Sequence, residues 1–125
     1  MTSKLEMAVV QLNDFRGDLE RVRLRVATAK TRLEELSSRT TDIEKVYVKL
    51  YNTLFSPDLV ATERIQVVRE MEQCLGALDI LKRDLHRANV EKGVAESEVG
   101  KLEKKIAESE QSLRAMLPPP VSTGA

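Results

Sequence analysis

Two side chains with chemical reach stand alone in this chain: one histidine, His86, and one cysteine, Cys74, twelve positions apart. A bound metal needs three or four converging ligands, and neither residue has a second His or Cys to converge with. A nucleophilic thiol needs exposure and nearby positive charge to hold its thiolate form. Cys74 instead falls on an apolar seam, where it reads as a small buried filler, and His86 reads as a solvated side chain. The sequence contains no glycine-rich phosphate loop and no nucleophile–base pairing. The expectation is therefore no catalytic residue, no metal, no cofactor and no enzymatic activity.

A third chemistry is suggested by "ERVRLRV", residues 20–26, where Arg21, Arg23 and Arg25 alternate with apolar side chains. Such a run could form the basic face of a strand, grip a phosphate backbone, or flank a helical seam. Charge weighs against the phosphate reading. The chain carries 20 basic and 20 acidic residues, with a formal net charge of +0 and a sequence pI near 6.6. A neutral chain lacks the field that draws proteins to nucleic acid or acidic membranes. Residues 1–54 hold only 10 basic against 8 acidic residues, with no aromatic stacking residue in the basic run.

The elements that position these arginines follow from composition and periodicity. Ala, Glu, Lys, Leu and Arg make up 60 of the 125 residues, a share typical of coiled coils and long helices. Aromatics are only 3%, too few for a thick globular core. Alternating steps of three and four from Leu5 reach Ala8, Leu12, Phe15, Leu19, Val22, Val26, Ala29, Leu33, Leu36, Thr40, Ile43, Tyr47, Leu50 and Leu54. Thr40 is the one position of these fifteen that is neither apolar nor aromatic, and the phase never slips. A strict seven-residue repeat of this length predicts a coiled coil, with Leu5 at a and Ala8 at d. The strand reading fails, because period two does not extend beyond residues 20–26.

A second array runs in a new phase from Val67 through Met71, Cys74, Leu78, Leu81, Leu85, Ala88, Lys92, Ala95, Val99, Leu102, Ile106, Ser109, Leu113 and Met116. Lys92 and Ser109 interrupt it. Lys92 at a core position reads as a snorkelling side chain opposite Ala29, with a register pin as the alternative. Pro118, Pro119 and Pro120 must end the helix, since proline lacks the amide donor and clashes with the preceding turn. The expected organisation is a first coiled-coil helix over 1–54, a linker over 55–66, a second helix over 67–117 and a disordered Pro-rich tail over 118–125. Ser56, Pro57 and Asp58 read as an N-cap and first turn. Pro57 would cost about 3 kcal/mol inside a continuous helix, which favours a reversal over an extended antiparallel dimer of two chains.

Flanking charges select the pairing. The first helix carries Arg16, Arg23, Arg25, Arg32 and Arg39 at e and g, whereas the second carries Asp84, Glu91, Glu96, Glu98 and Glu103. Parallel self-pairing of either helix sets like charges against each other. An antiparallel pairing with Leu54 opposite Val67 matches Arg25 with Glu98, Arg32 with Glu91, Arg39 with Asp84, Asp18 with Lys105, Arg16 with Glu103 and Arg23 with Glu96, without one repulsive contact. Exposed pairs contribute only ~0–1 kcal/mol each, so they specify register more than they stabilise it. The predicted fold is all-α: a long antiparallel coiled-coil hairpin, with dimerisation into a four-helix end near the linker as a further expectation.

Apolar residues also accumulate outside the seam near that linker: Val46, Val48, Tyr51, Phe55, Leu59, Val60, Ile65, Val68, Leu75, Ala77 and Ile80. Two helices cannot cover so wide a band, and large exposed apolar patches mark interaction sites. The competing reading is that the linker folds back over them as a local mini-core. Val46, Tyr51, Phe55, Leu59, Ile65, Val68, Leu75 and Ile80 are the candidate partner or oligomer interface.

The lone cysteine excludes an internal disulfide. The N-terminal "MTSKLEMAVV" has no long apolar region, and no apolar run has transmembrane length. The chain is expected to be soluble and cytoplasmic, without membrane contact. The functional expectation is a non-catalytic protein–protein interaction module, acting as a structural or adaptor subunit of a larger cytoplasmic assembly, with the cytoskeleton as one candidate setting. Its partners would be proteins engaged through coiled-coil surfaces, as a homodimer or a hetero-complex. By likeness of architecture alone, an alternative is a chaperone or secretion-ATPase stalk hairpin, as in prefoldin subunits and the stalks of secretion ATPases. Nucleic-acid binding through the arginine-rich first helix is the weakest of the readings.

Overall fold

A computed structural model describes residues 3–120 of the protein. Two α-helices, α1 (Lys4–Leu54, 51 residues) and α2 (Ala61–Met116, 56 residues), form an antiparallel all-α hairpin. All fifteen predicted seam positions of α1 are buried or half-buried. The same holds for α2 except at Met116, which is 45% exposed where the helix runs out. Lys92 and Ser109 are half-buried despite their polarity.

Both ends of α1 have local causes. At its start, the Glu6 amide donates to Ser3 Oγ at 3.1 Å and the Ser3 amide donates to Glu6 Oε2 at 3.4 Å. This is a capping box, satisfying two amides that helix geometry leaves without partners. Thr40 tolerates its seam position because its hydroxyl donates back to the Leu36 carbonyl at 2.8 Å. The helix stops after Leu54, and the Ser56 amide donates to the Thr53 carbonyl at 3.0 Å.

The connection is shorter than the predicted 55–66 linker. Ser56 and Pro57 do not begin α2; Pro57 and Asp58 lie in a turn, and the helix starts at Ala61 rather than Val67. Proline presets the backbone angle for the second position of a β-turn, so Pro57 serves the reversal instead of a helix start. The residues ahead of Val67 favour helix, with Glu63 in the first turn complementing the helix dipole. The Val60 carbonyl receives the first helical bond, from the Arg64 amide at 3.1 Å. At the other end α2 closes at Met116, immediately ahead of Leu117 and the three prolines. Pro118–Pro120 have no regular secondary structure. The remainder of the expected tail, 121–125, lies outside the described residues.

The chain divides into two compact units, each built from a stretch of both helices. In the unit spanning Thr28–Glu91, Leu36 is 1% exposed and forms a cluster with Leu81 and Ala88, against which Leu33, Ile43 and Leu85 pack. These are the residues that a register with Leu54 opposite Val67 brings together. In the other unit, residues up to 27 with those from 92 onward, Leu19, Val22 and Ala95 are the buried apolar side chains.

Candidate interaction surfaces

The unit that joins the chain's first and last helical stretches is laced by charge. Arg25 Nη1 lies 3.0 Å from Glu98 Oε2, Arg23 Nη2 lies 3.3 Å from Glu103 Oε1, and Arg16 Nη2 lies 2.6 Å from Glu110 Oε1. The Arg25–Glu98 contact matches the expected pairing. The expected Arg16–Glu103 and Arg23–Glu96 contacts do not form; each arginine reaches a glutamate one heptad further on.

The direction in which helical side chains lean explains the shift. They tilt toward their own N-terminus, so across antiparallel helices they approach when each starts beyond the other's level. Pairing by level alone sets Arg16 and Arg23 against carboxylates that lean away. Glu96 instead lies 3.8 Å from Lys92 on its own helix, which gives that half-buried ammonium a partner.

Arg21 and Lys105 of this unit are engaged locally. Arg21 pairs with Asp18 one turn back, which takes Asp18 from its expected partner Lys105. The Lys105 ammonium lies 5.8 Å from the Phe15 ring centroid, within cation–π range. Arg21, Arg25, Lys101 and Lys105 thus line an open groove over Val22 and Leu102, along with Asp18 and Glu98. Two of its four cationic side chains, Arg21 and Arg25, are ion-paired in place.

The Thr28–Glu91 unit is built differently. Arg32 with Glu91, and Arg39 with Asp84, form no ion pair; among the described residues its single ion pair is Arg83–Asp79, 3.0 Å, within α2. What distinguishes this unit is exposed apolar surface around the reversal. Val46, Val48, Tyr51, Phe55, Val60, Ile65, Val68, Leu75 and Ile80 are all exposed, Phe55 at 66% and Ile80 at 60%. Among the connection residues Leu59 is half-buried, and the connection leaves the rest open. The Tyr51 and Phe55 rings meet edge to face with centroids 5.1 Å apart, and Tyr47 lies 6.5 Å from Tyr51.

The sequence ran these residues together as one band, but helical position divides them. Val48, Tyr51, Phe55, Ile65, Val68 and Leu75 occupy e and b positions, on one flank of the seam. Val46 belongs to the opposite flank, where it lines a groove with Ile43, Leu50, Cys74 and Ala77, and Ile80 follows on the same side. Cys74 is half-buried there and His86 is exposed.

Arg64 is the functional side chain that periodicity alone did not reveal. The last turn of α1 holds no basic residue. Arg64, from the second helix, donates through Nη1 to the Leu54 carbonyl and through Nη2 to the Ser56 carbonyl at 2.9 Å. It thereby satisfies carbonyls left open at the end of α1 and places positive charge at the negative end of the helix dipole. The only signal in the sequence was a basic residue soon after a helix end that lacks one.

Among the described residues, no three His, Cys, Asp or Glu side chains converge as a metal site, and no helix is long and apolar enough to cross a membrane. The molecule belongs to the class of antiparallel two-helix hairpins with a charge-laced unit and an apolar reversal. Compared with known protein families, curated proteins and solved structures, the chain has no match.

Proposed function

We propose that this protein is a non-catalytic interaction module, in which the hairpin presents the apolar surface around its reversal to a protein partner. The observation that carries this reading is the set of nine large apolar side chains left exposed between Val46 and Ile80. The hairpin has already closed its seam beneath them, so their further burial awaits another molecule. The interhelical ion pairs Arg16–Glu110, Arg23–Glu103 and Arg25–Glu98 support a division of labour, with charge holding register away from the reversal. We place such a module in a cytoplasmic assembly as a structural or adaptor subunit.

The test combines Tyr51→Glu with Leu75→Glu, two exposed positions on the same flank. The double variant keeps the parent's helical circular dichroism but loses the proteins recovered with the parent in pull-down. Unchanged recovery would overturn the reading, and so would a collapse of helicity, because the patch would then belong to the hairpin's own core.

A further inference from the structure

We propose that the partner for the e-and-b flank of the reversal is a second copy of this chain, docked in parallel so that α1 of each copy lies against α2 of the other. This rests on the reading above that the reversal end is the interaction surface.

The flank offers Val48 and Tyr51 from α1, Phe55 just past its end, and Ile65, Val68 and Leu75 from α2, most of them about half exposed. Six such side chains present on the order of 500 Å² of apolar surface. Two copies face to face would bury on the order of 1,000 Å², the threshold of a specific interface.

Charge next to the patch selects the orientation. The next e position on α1 is Glu44 and the next on α2 is Lys82; both are exposed and neither is in an ion pair. A two-fold axis along the hairpin carries α1 onto the side of α2. Each Glu44 then meets the Lys82 of the other copy, twice per dimer, at the level where the apolar residues stop. One level further, Ser37 meets Asn89, two neutral polar side chains. Turning one copy end for end instead sets α1 against α1 and α2 against α2, which separates Glu44 from Lys82. A surface whose own two edges are complementary under a two-fold is the signature of an isologous contact. Asp79, on the same helix at the outer rim, is already held by Arg83 at 3.0 Å and does not compete for Lys82.

Sedimentation equilibrium of the purified full chain tests this. The parent should move from the 14.1 kDa monomer to twice that mass as concentration rises. Glu44→Lys and Lys82→Glu should each weaken the dimer about tenfold, and Glu44→Lys combined with Lys82→Glu should recover it to within about threefold. Orientation is read in a Cys74→Ala background: a flexible bismaleimide, which spans more than the ~7 Å Cα separation a direct disulfide allows, should join Ser37→Cys to Asn89→Cys as a heterodimer. All these positions except Cys74 are exposed, and circular dichroism verifies that each variant is folded. A monomer at every concentration, a charge pair that fails to recover, or no 37-to-89 crosslink would overturn the proposal. A monomeric parent whose Tyr51→Glu/Leu75→Glu variant still loses recovered proteins would sink self-association alone. No loss in either assay would sink the interaction reading with it.

Discussion

The two units of the hairpin use one seam and opposite surfaces. Away from the reversal, three ion pairs join α1 to α2, and Lys105 rests over Phe15. Around the reversal no ion pair joins the helices among the described residues, and the flanks are aromatic and aliphatic instead. The same heptad chemistry underlies both, since most a and d positions in each are apolar. The difference therefore resides at b, c, e and g. Charge there makes a pairing specific and leaves the outer surface solvated, whereas apolar residues there leave free energy unspent in the monomer.

The largest expected effect comes from the part both units share. Leu36→Ala removes the most deeply buried side chain among the described residues. It should lower stability by about 2–4 kcal/mol in urea unfolding, because a cavity forms beneath Leu81 and Ala88. A loss below about 1 kcal/mol would mean that the seam near Leu36 is loosely packed and that the contrast between the units starts deeper than their surfaces.

A smaller effect is expected at the reversal itself. Arg64→Ala leaves the Leu54 and Ser56 carbonyls without their side-chain donor. Stability should fall by about 1–2 kcal/mol, with hydrogen exchange accelerated over the last turn of α1. Arg64→Lys should recover only part of the loss, since one ammonium cannot reproduce a fork reaching two carbonyls.

The smallest effect belongs to the charge lacing. Arg25→Glu breaks the contact with Glu98, but both side chains are more than a third exposed. The change should cost ~0–1 kcal/mol and diminish in high salt. Combining it with Glu98→Arg should recover the parent's urea midpoint. A cost well above 1 kcal/mol would show that these pairs stabilise the hairpin rather than merely specify its register.

Most of this architecture was legible in the sequence because a seven-residue repeat writes the same statement many times. The seam from Leu5 to Leu54, the stop before Pro118 and the facing of Leu36 by Leu81, Leu85 and Ala88 all follow from it. What escaped is written once. Ser3 and Glu6 form a single capping box, and Arg64 acts through a contact created only by the chain's reversal. The start of α2 was misplaced because a seam begins where burial begins, while the helix extends ahead of it on backbone propensity from Ala61. Arg16 and Arg23 found Glu110 and Glu103 because pairing by level ignores the N-terminal lean of helical side chains. The apolar band was legible as composition, but its division between two flanks required helical position together with exposure.

Site-specific photo-crosslinking compares the two units most directly. A photoreactive residue replaces Tyr51, on the apolar flank, or Leu24, an exposed apolar residue at 68% on the charge-laced unit. The same irradiation is applied to both in a native extract. The account predicts protein adducts from position 51 that vanish on adding Leu75→Glu, and none above background from position 24. Adducts of equal yield from both positions, or from position 24 alone, would contradict it.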